Sequence, residues 1–234
     1  MFLVKLNLCC WVGAFNKKRR TLGVVVRKIN VLLLAALLPM LGACAVGNQH
    51  DYKAEVPVIG SAPFGTAAVA AQDRRPYVVN GEKPENFVGL SRGGYGNPFN
   101  VTTASGNPLA IDIRDTVIAA LKKNGVDAEP VALRPAQADP RQSLLVLNKD
   151  RSLLFVVSEW KSDTYMNTAL IYDMRLTVLD KSGREIAENV VSGRDDLGGD
   201  FINPPAHAKR AIPAAFKAKL EALINDAKIL AALK

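Results

Sequence analysis

The stretch Leu153-Leu-Phe-Val-Val-Ser-Glu-Trp-Lys161 and the stretch Thr168-Ala-Leu-Ile-Tyr-Asp-Met-Arg-Leu-Thr-Val-Leu-Asp180 decide the fold. The first begins with apolar residues at successive positions, which is typical of a central strand covered on both faces. In the second, apolar and polar residues alternate, which predicts a strand with one buried face. Lys181-Ser-Gly183 then predicts a hairpin turn into a third strand, Arg184–Gly193. The three strands predict an antiparallel meander.

Two amphipathic helices are predicted outside this meander. One spans Pro108–Asn124, with Asn107 as its cap, because apolar residues recur every four positions along it. The other starts at Ala206 or Lys209 and ends at Asn225. Pro213 must lie near the start of that helix or kink it, because proline cannot donate a backbone hydrogen bond.

Shorter elements complete the prediction: strands at Phe87–Leu90 and Val126–Leu133, a short helix opened by Asp139-Pro140, and a last helix capped by Asp226 and ending at Leu233. A strand over Leu144–Leu147 is an alternative to the first of these helices. Helices beside an antiparallel sheet define the α+β class. We therefore expect a two-layer sandwich over residues 86–234, with an antiparallel meander sheet and helices packed on one face.

The first 43 residues have the anatomy of an export signal. A basic cluster precedes the apolar run Val31–Leu38, which is too short to span a membrane. The run leads into Leu41-Gly42-Ala43-Cys44, which resembles the lipobox of bacterial lipoproteins. The resemblance implies cleavage before Cys44, S-diacylglycerol and N-acyl lipid such as palmitate on that residue, and residues 1–43 as signal peptide. A plain signal peptide with a chance cysteine is the alternative, and translation starting at Val26 stays open.

The basic charge of the chain belongs to this leader. The whole sequence has 30 Lys and Arg against 22 Asp and Glu, and residues 1–43 hold seven of the basic residues and no acidic one. The remainder therefore carries 23 basic against 22 acidic residues, which argues against nucleic acid as a partner. After cleavage Cys44 is the only cysteine, so a disulfide or a cysteine zinc site is excluded.

Residues 44–85 are expected to be a lipidated N-terminus and a flexible tether. Pro57, Pro63, Pro76 and Pro84 interrupt this stretch, and small alanines fill much of the rest. Tyr77–Val79 is expected to be a short extended piece. Ala45 follows the cysteine. In enteric lipoproteins an Asp at that position favours retention in the inner membrane, so the outer membrane is expected for this chain.

The layout resembles the YajG-like family of small bacterial lipoproteins. The residues that carry the resemblance are the lipobox, the helix ending Leu121-Lys-Lys-Asn-Gly-Val126, the strand Leu154-Phe-Val-Val-Ser158 and the turn Asp180-Lys-Ser-Gly183. It covers roughly residues 87–234. The resemblance implies an outer-membrane lipoprotein facing the periplasm, without an assigned reaction or catalytic residues to carry over.

Three patterns resemble parts of catalytic or phosphate-binding sites, but none of them meets the requirements of such a site. Ser158-x-x-Lys161 spells an acyl-serine motif, but it lies in a predicted strand rather than at a helix start. The glycine-rich stretch Ser91–Pro98 lacks the Gly-Lys-Ser/Thr of a phosphate loop, so we expect a surface loop. The only histidines, His50 and His207, are expected in the tether and near a helix start, both in solvent.

Two groups of residues are candidate binding sites. Trp160, Tyr165 and Tyr172 could line a ligand-binding sheet face, although core positions are more common for such residues. Asp195, Asp196 and Asp200 are weak candidates for Ca²⁺, since their spacing does not fit an EF-hand. We expect no metal and no cofactor other than the covalent lipid.

The sequence therefore predicts a lipid-anchored, non-enzymatic interaction or accessory module of the cell envelope, with an envelope protein as partner. It does not predict an oligomeric state. One alternative is a peptidoglycan hydrolase using the Asp loop or His207. Another is an auxiliary subunit of an exporter, whose tether spans the gap to an inner-membrane partner.

Overall fold

The computed structural model describes residues 47–60 and 65–234. Contacts divide the chain into two units, Met1–Cys44 and Ala45–Lys234, and the described residues all belong to the second. The lipobox Leu41–Cys44 and Pro63 lie outside the described residues. The strands are β1 (Gln49–His50), β2 (Thr66–Asp73), β3 (Phe87–Arg92), β4 (Pro98–Thr103), β5 (Asp127–Val131), β6 (Arg151–Thr164), β7 (Asn167–Asp180) and β8 (Glu185–Gly199). The helices are α1 (Pro76–Val79), α2 (Leu109–Lys123), α3 (Pro140–Leu145), α4 (Pro204–Ile224) and α5 (Ala227–Ala232).

Strand β6 organises a curled, mixed sheet of eight strands. One of its edges pairs antiparallel with β7 over nearly its whole length. Its other edge is shared between two parallel neighbours, β2 along Arg151–Val157 and β3 along Ser162–Thr164. Beyond these, β7 pairs with β8, β2 with β5, β3 with β4, and β4 with β1.

The α+β class and the antiparallel meander β6–β7–β8 are confirmed. The prediction of a simple antiparallel sheet is wrong, because β2 and β3 run parallel to β6 and β5 runs parallel to β2. Strand β8 also extends to Gly199, so the loop predicted after Gly193 begins later. Strand β4 lies where no strand was predicted.

The predicted tether is wrong for its described C-terminal part. Strand β2 lies between β5 and β6, and seven of its eight residues are buried. Its alanines are packing residues, since alternate residues of a strand face opposite sides of the sheet. Ala67 and Val69 face the main core, whereas Ala68 and Ala70 face a second one. Tyr77–Val79 is helical, in α1, rather than extended.

Helices cover both faces of the sheet, so the prediction of helices on one face is wrong. The main core lies between the sheet and helices α2, α4 and α5, with Trp160, Tyr52 and Phe216 packed edge to face. On the opposite face, Leu144 of α3 packs with Leu154 and Leu179. Burying these apolar side chains supplies the main favourable free energy of folding.

The helix ends follow the sequence with two corrections. Asp139 and Asp226 cap α3 and α5, accepting hydrogen bonds from the backbone N–H of Gln142 and of Lys228, as predicted. Asn107 does not cap α2, because Pro108 holds the cap position without a side-chain hydrogen bond. Helix α4 begins at Pro204, before the predicted start at Ala206 or Lys209, and Pro213 lies buried inside it.

Arg75 fills the gap that β2 and β3 leave along the edge of β6. Its side chain is fully buried, and Nη2 donates a 2.6 Å hydrogen bond to Oδ2 of the buried Asp73. The guanidinium also donates to the backbone carbonyls of Glu85, Phe87 and Trp160. It therefore joins the end of β2, the start of β3 and the middle of β6. Burial opposes the charge, but Asp73 outweighs it and raises the pKa of Arg75.

We expect Arg75→Met to lower the free energy of unfolding by about 3–5 kcal/mol, because it leaves the Asp73 carboxylate buried without its partner. Urea unfolding of the processed protein, followed by circular dichroism, measures this. Arg141→Met is the matched control, since Arg141 forms an exposed ion pair with Glu185 that contributes about 0–1 kcal/mol. Equal losses in the two variants would contradict the joining role of Arg75.

Candidate functional site

The three aromatic residues predicted as a ligand-binding face do not share a surface. Trp160 is 0% exposed, and its Nε1 donates a 2.9 Å hydrogen bond to the Tyr52 hydroxyl inside the core. Its inclusion in a binding face is therefore wrong. Tyr172 is also buried, and only Tyr165 is exposed, in the turn between β6 and β7.

Tyr172 belongs to a polar cluster with Lys219 and Asp195. Lys219 of α4 forms a 2.7 Å ion pair with Asp195 and donates to the Tyr172 hydroxyl at 2.9 Å. Its Nζ also lies 4.1 Å from the centre of the Tyr172 ring. The hydrogen bond from Lys219 lowers the pKa of Asp195. Partial burial opposes the charge of Lys219, but Asp195 outweighs it and raises the pKa of that ammonium. The cluster anchors α4 on the meander.

The three aspartates considered for Ca²⁺ have separate roles. Asp195 pairs with Lys219, whereas Asp196 accepts hydrogen bonds from Asn167 and from the backbone of Gly198. Asp200 accepts hydrogen bonds from the backbone N–H groups of the two residues before α4, Ile202 and Asn203, and these lower its pKa. In the described part of the chain, no group of three or more acidic, His or Cys residues is arranged to hold a metal ion.

The two sequence motifs have structural roles. Ser158 falls at the register shift of β6 against β7, between Val157 and Glu159, and Lys161 extends over the Tyr77 ring with Nζ 5.9 Å from its centre. The acyl-serine motif thus lies in a strand, as predicted. The glycine-rich stretch contains a turn in which Gly96 N–H donates to the Gly93 carbonyl, between β3 and β4.

The histidines differ from each other in environment. His207 lies in the first turn of α4, where its Nε2 is 2.9 Å from the Leu197 carbonyl oxygen. His50 is buried in β1, so its predicted place in a solvated tether is wrong. Its Nε2 contacts the Ser162 hydroxyl at 3.3 Å, and its buried Nδ1 has no partner among the described residues. Burial, with a smaller effect of Lys209, lowers the pKa of His50 to about 4.

The surface feature that sequence reasoning missed is an apolar end of the sheet. Three turns meet there: the β3–β4 turn, the β6–β7 turn and the loop from β8 to α4. The Tyr165 hydroxyl donates to the Gly94 carbonyl at 3.3 Å, which joins the first two turns, and Asn167 pairs with Gly199, which brings in the third. We define the apolar end by its exposed side chains: Tyr95, Tyr165, Met166, Phe201 and Ile202.

These side chains are exposed to an unusual degree for their size. Tyr95 is 94% exposed, Phe201 83% and Ile202 93%. A group of large apolar side chains at one exposed end commonly marks a surface that contacts a protein or a membrane. The sequence carried one signal for it, since Tyr165-Met166 and Phe201-Ile202 place large apolar residues between polar turn residues.

A shallow cleft of about 750 Å³ adjoins the apolar end. Its polar side chains include Asp163, Arg194, Asp195 and Asp196. Two of these carboxylates are already neutralised, because Arg92 donates two hydrogen bonds to Asp163, of 2.8 and 2.6 Å, and Lys219 pairs with Asp195. The cleft therefore supplies polar contacts and no strong charge.

Comparisons with known proteins add the following. No protein-family model and no curated protein matches the chain. Protein XCC0632 of Xanthomonas campestris, of family DUF330, is 14% identical with a TM-score of 0.43, over 77% of this chain and 94% of that one. A PelC dodecamer from Paraburkholderia phytofirmans is 16% identical with a TM-score of 0.36, over 76% and 93%. Lipoprotein GNA1162 of Neisseria meningitidis is 15% identical with a TM-score of 0.27, over 57% and 84%.

Similarity at these identities and TM-scores does not indicate a function. The functional interpretation therefore depends on the residues themselves. None of the helices in the described residues is both long and apolar enough to cross a membrane. The site that the geometry favours is the apolar end with its adjoining cleft.

We expect the buried His50 to make stability depend on pH. The unfolded side chain binds a proton below its ordinary pKa of 6.5, whereas the folded one does so only below about 4. Stability therefore falls as the pH drops from 6.5 towards 4. Between about pH 7 and pH 5, the protein should lose about 2 kcal/mol more than the His50→Gln variant. Urea unfolding at both pH values measures this, and parallel losses would refute it.

Proposed function

We propose that the chain is a lipid-anchored lipoprotein of the outer membrane, facing the periplasm, and that it works as a non-enzymatic interaction module of the cell envelope. Leu41-Gly42-Ala43-Cys44 supports the anchor. The absence of acidic residues from a leader with seven basic ones supports export.

The apolar end is the observation that carries the interaction role. Its five exposed side chains come from three separate turns that the sheet brings to one place. The sheet fixes these turns, since β6 and β7 pair almost continuously up to Thr164 and Thr168. A preformed surface of this kind binds without a large cost for ordering the loops.

The polar groups that a hydrolase would use are engaged in holding the fold. Asp195 pairs with Lys219, and His207 contacts the Leu197 carbonyl. Asp200 accepts hydrogen bonds from the backbone ahead of α4. The first two contacts join β8 to α4, and the third stabilises the loop that leads into α4. They favour the interaction module over the hydrolase.

We expect Cys44→Ser to abolish lipid attachment, because only a thiol accepts the diacylglyceryl group at this position. Cells expressing the native chain should incorporate labelled palmitate into it and yield a shortened protein. The variant should stay unlabelled and at precursor length. Cys9→Ser is the matched control, since Cys9 lies within the predicted signal peptide, and it should leave labelling unchanged. Labelling that persists in Cys44→Ser would overturn the proposed anchor.

A further inference from the structure

The described chain enters the domain at the apolar end. The Asn48 side chain donates a 3.1 Å hydrogen bond to the Ser91 hydroxyl, and its carbonyl accepts from the Thr102 N–H. Ser91 pairs across the sheet with Thr164, the residue directly before Tyr165 and Met166. Strand β1 runs parallel to β4, and β4 leads away from the β3–β4 turn, so the chain enters β1 from the side of the turns that carry the exposed apolar side chains.

Little chain separates this entry point from the predicted lipid site. Cys44 precedes Asn48 by four residues. A fully extended chain spans at most about 3.6 Å per residue, so the Cα atoms of Cys44 and Asn48 lie at most ~14 Å apart. A lipid on Cys44 would consequently hold this end of the domain, and not the opposite one, close to the membrane surface.

The side chains at this end suit the boundary between headgroups and acyl chains. Tyr95 and Tyr165 have a polar tip on an aromatic ring, the type of residue enriched at membrane interfaces. Phe201 and Ile202, which are almost fully exposed, offer purely apolar surface. Isolated groups of this size bind a bilayer weakly, but a nearby anchor makes the contact intramolecular and so increases its occupancy.

The charges at this end favour an apolar contact over an electrostatic one. Arg92 and Lys219 neutralise Asp163 and Asp195. Arg194 lines the same cleft as Asp196, and the exposed Arg210 in α4 contributes to lowering the pKa of Asp200. Because the signs nearly balance, attraction to anionic lipid contributes little, and the contact should survive high salt.

We propose that the apolar end lies against the lipid surface beside the anchor, with Tyr95, Met166, Phe201 and Ile202 entering the interface. This inference rests on the proposed lipidation of Cys44. It gives the domain two attachments, the acyl chains and the apolar end. The domain then stands with β6 rising from the membrane, and the opposite end, where α3 leads into β6, faces the periplasm.

The test uses the processed, lipidated protein in vesicles of phosphatidylethanolamine and phosphatidylglycerol. Ile202→Cys provides one free thiol for an environment-sensitive fluorophore, because Cys44 carries lipid and the leader is removed. Val146→Cys is the matched control: Val146 is 81% exposed and lies at the opposite end, between α3 and the start of β6. Flotation with the vesicles verifies the anchor in both variants.

The label at position 202 should show blue-shifted emission and lose intensity when the vesicles contain brominated lipid, in low and high salt alike. The label at position 146 should keep its aqueous emission. If both variants float and position 202 remains aqueous, the inference is overturned while the anchor stands. Shielding without quenching by lipid, together with crosslinks to a protein, would assign the apolar end to a protein partner instead. Failure to float would overturn the proposed function and this inference with it.

Discussion

The buried guanidinium of Arg75 holds together a sheet whose central strand changes neighbours halfway. Strand β6 pairs with β2 up to Val157 and with β3 from Ser162, so the intervening edge lacks a strand partner. Arg75 donates a hydrogen bond to the Trp160 carbonyl in that interval. It also donates to the backbone carbonyls of Glu85, just before β3, and of Phe87, the first residue of β3. The Asp73 carboxylate balances its charge. A buried carbonyl left without a donor costs about 1–3 kcal/mol, and a buried unpaired charge costs more. The change of neighbour is stable because Arg75 meets most of these requirements, and the Tyr77 hydroxyl donates to the Trp160 carbonyl as well.

This change of neighbour also builds the apolar end. Since β3 pairs with only the last residues of β6, the β3–β4 turn reaches the same level as the β6–β7 turn. Strand β8 follows β7 to Gly199 and brings the next loop to that level. Three turns distant in sequence thereby present Tyr95, Met166 and Phe201 together, and the Lys219–Asp195 pair fixes α4 beneath them.

The sequence revealed those elements whose hydrophobic pattern is strong. A run of successive apolar residues identified β6, which is covered on both faces. Alternating residues identified β7, and the four-residue repeat identified α2, because each of these two patterns reflects one buried face. Strand β2 was not predicted because alanines such as Ala68 and Ala70 show no hydrophobic contrast between the two faces of the strand, although both are buried.

The candidate site was not predicted for another reason. The exposure of Phe201 or Tyr95 depends on which turns meet, and pairings between distant strands determine that, not local pattern.

The place of β2 in the core changes what the N-terminal region can do. As a flexible tether, residues 44–85 would let the domain reach across the periplasm, as the exporter-subunit alternative requires. Strand β1 begins at Gln49, and the side chain of Asn48 already bonds to β3. The chain between Cys44 and Asn48 therefore spans at most ~14 Å. A lipid at Cys44 would keep the domain at its own membrane, so any partner bridging to the inner membrane would have to supply the length itself.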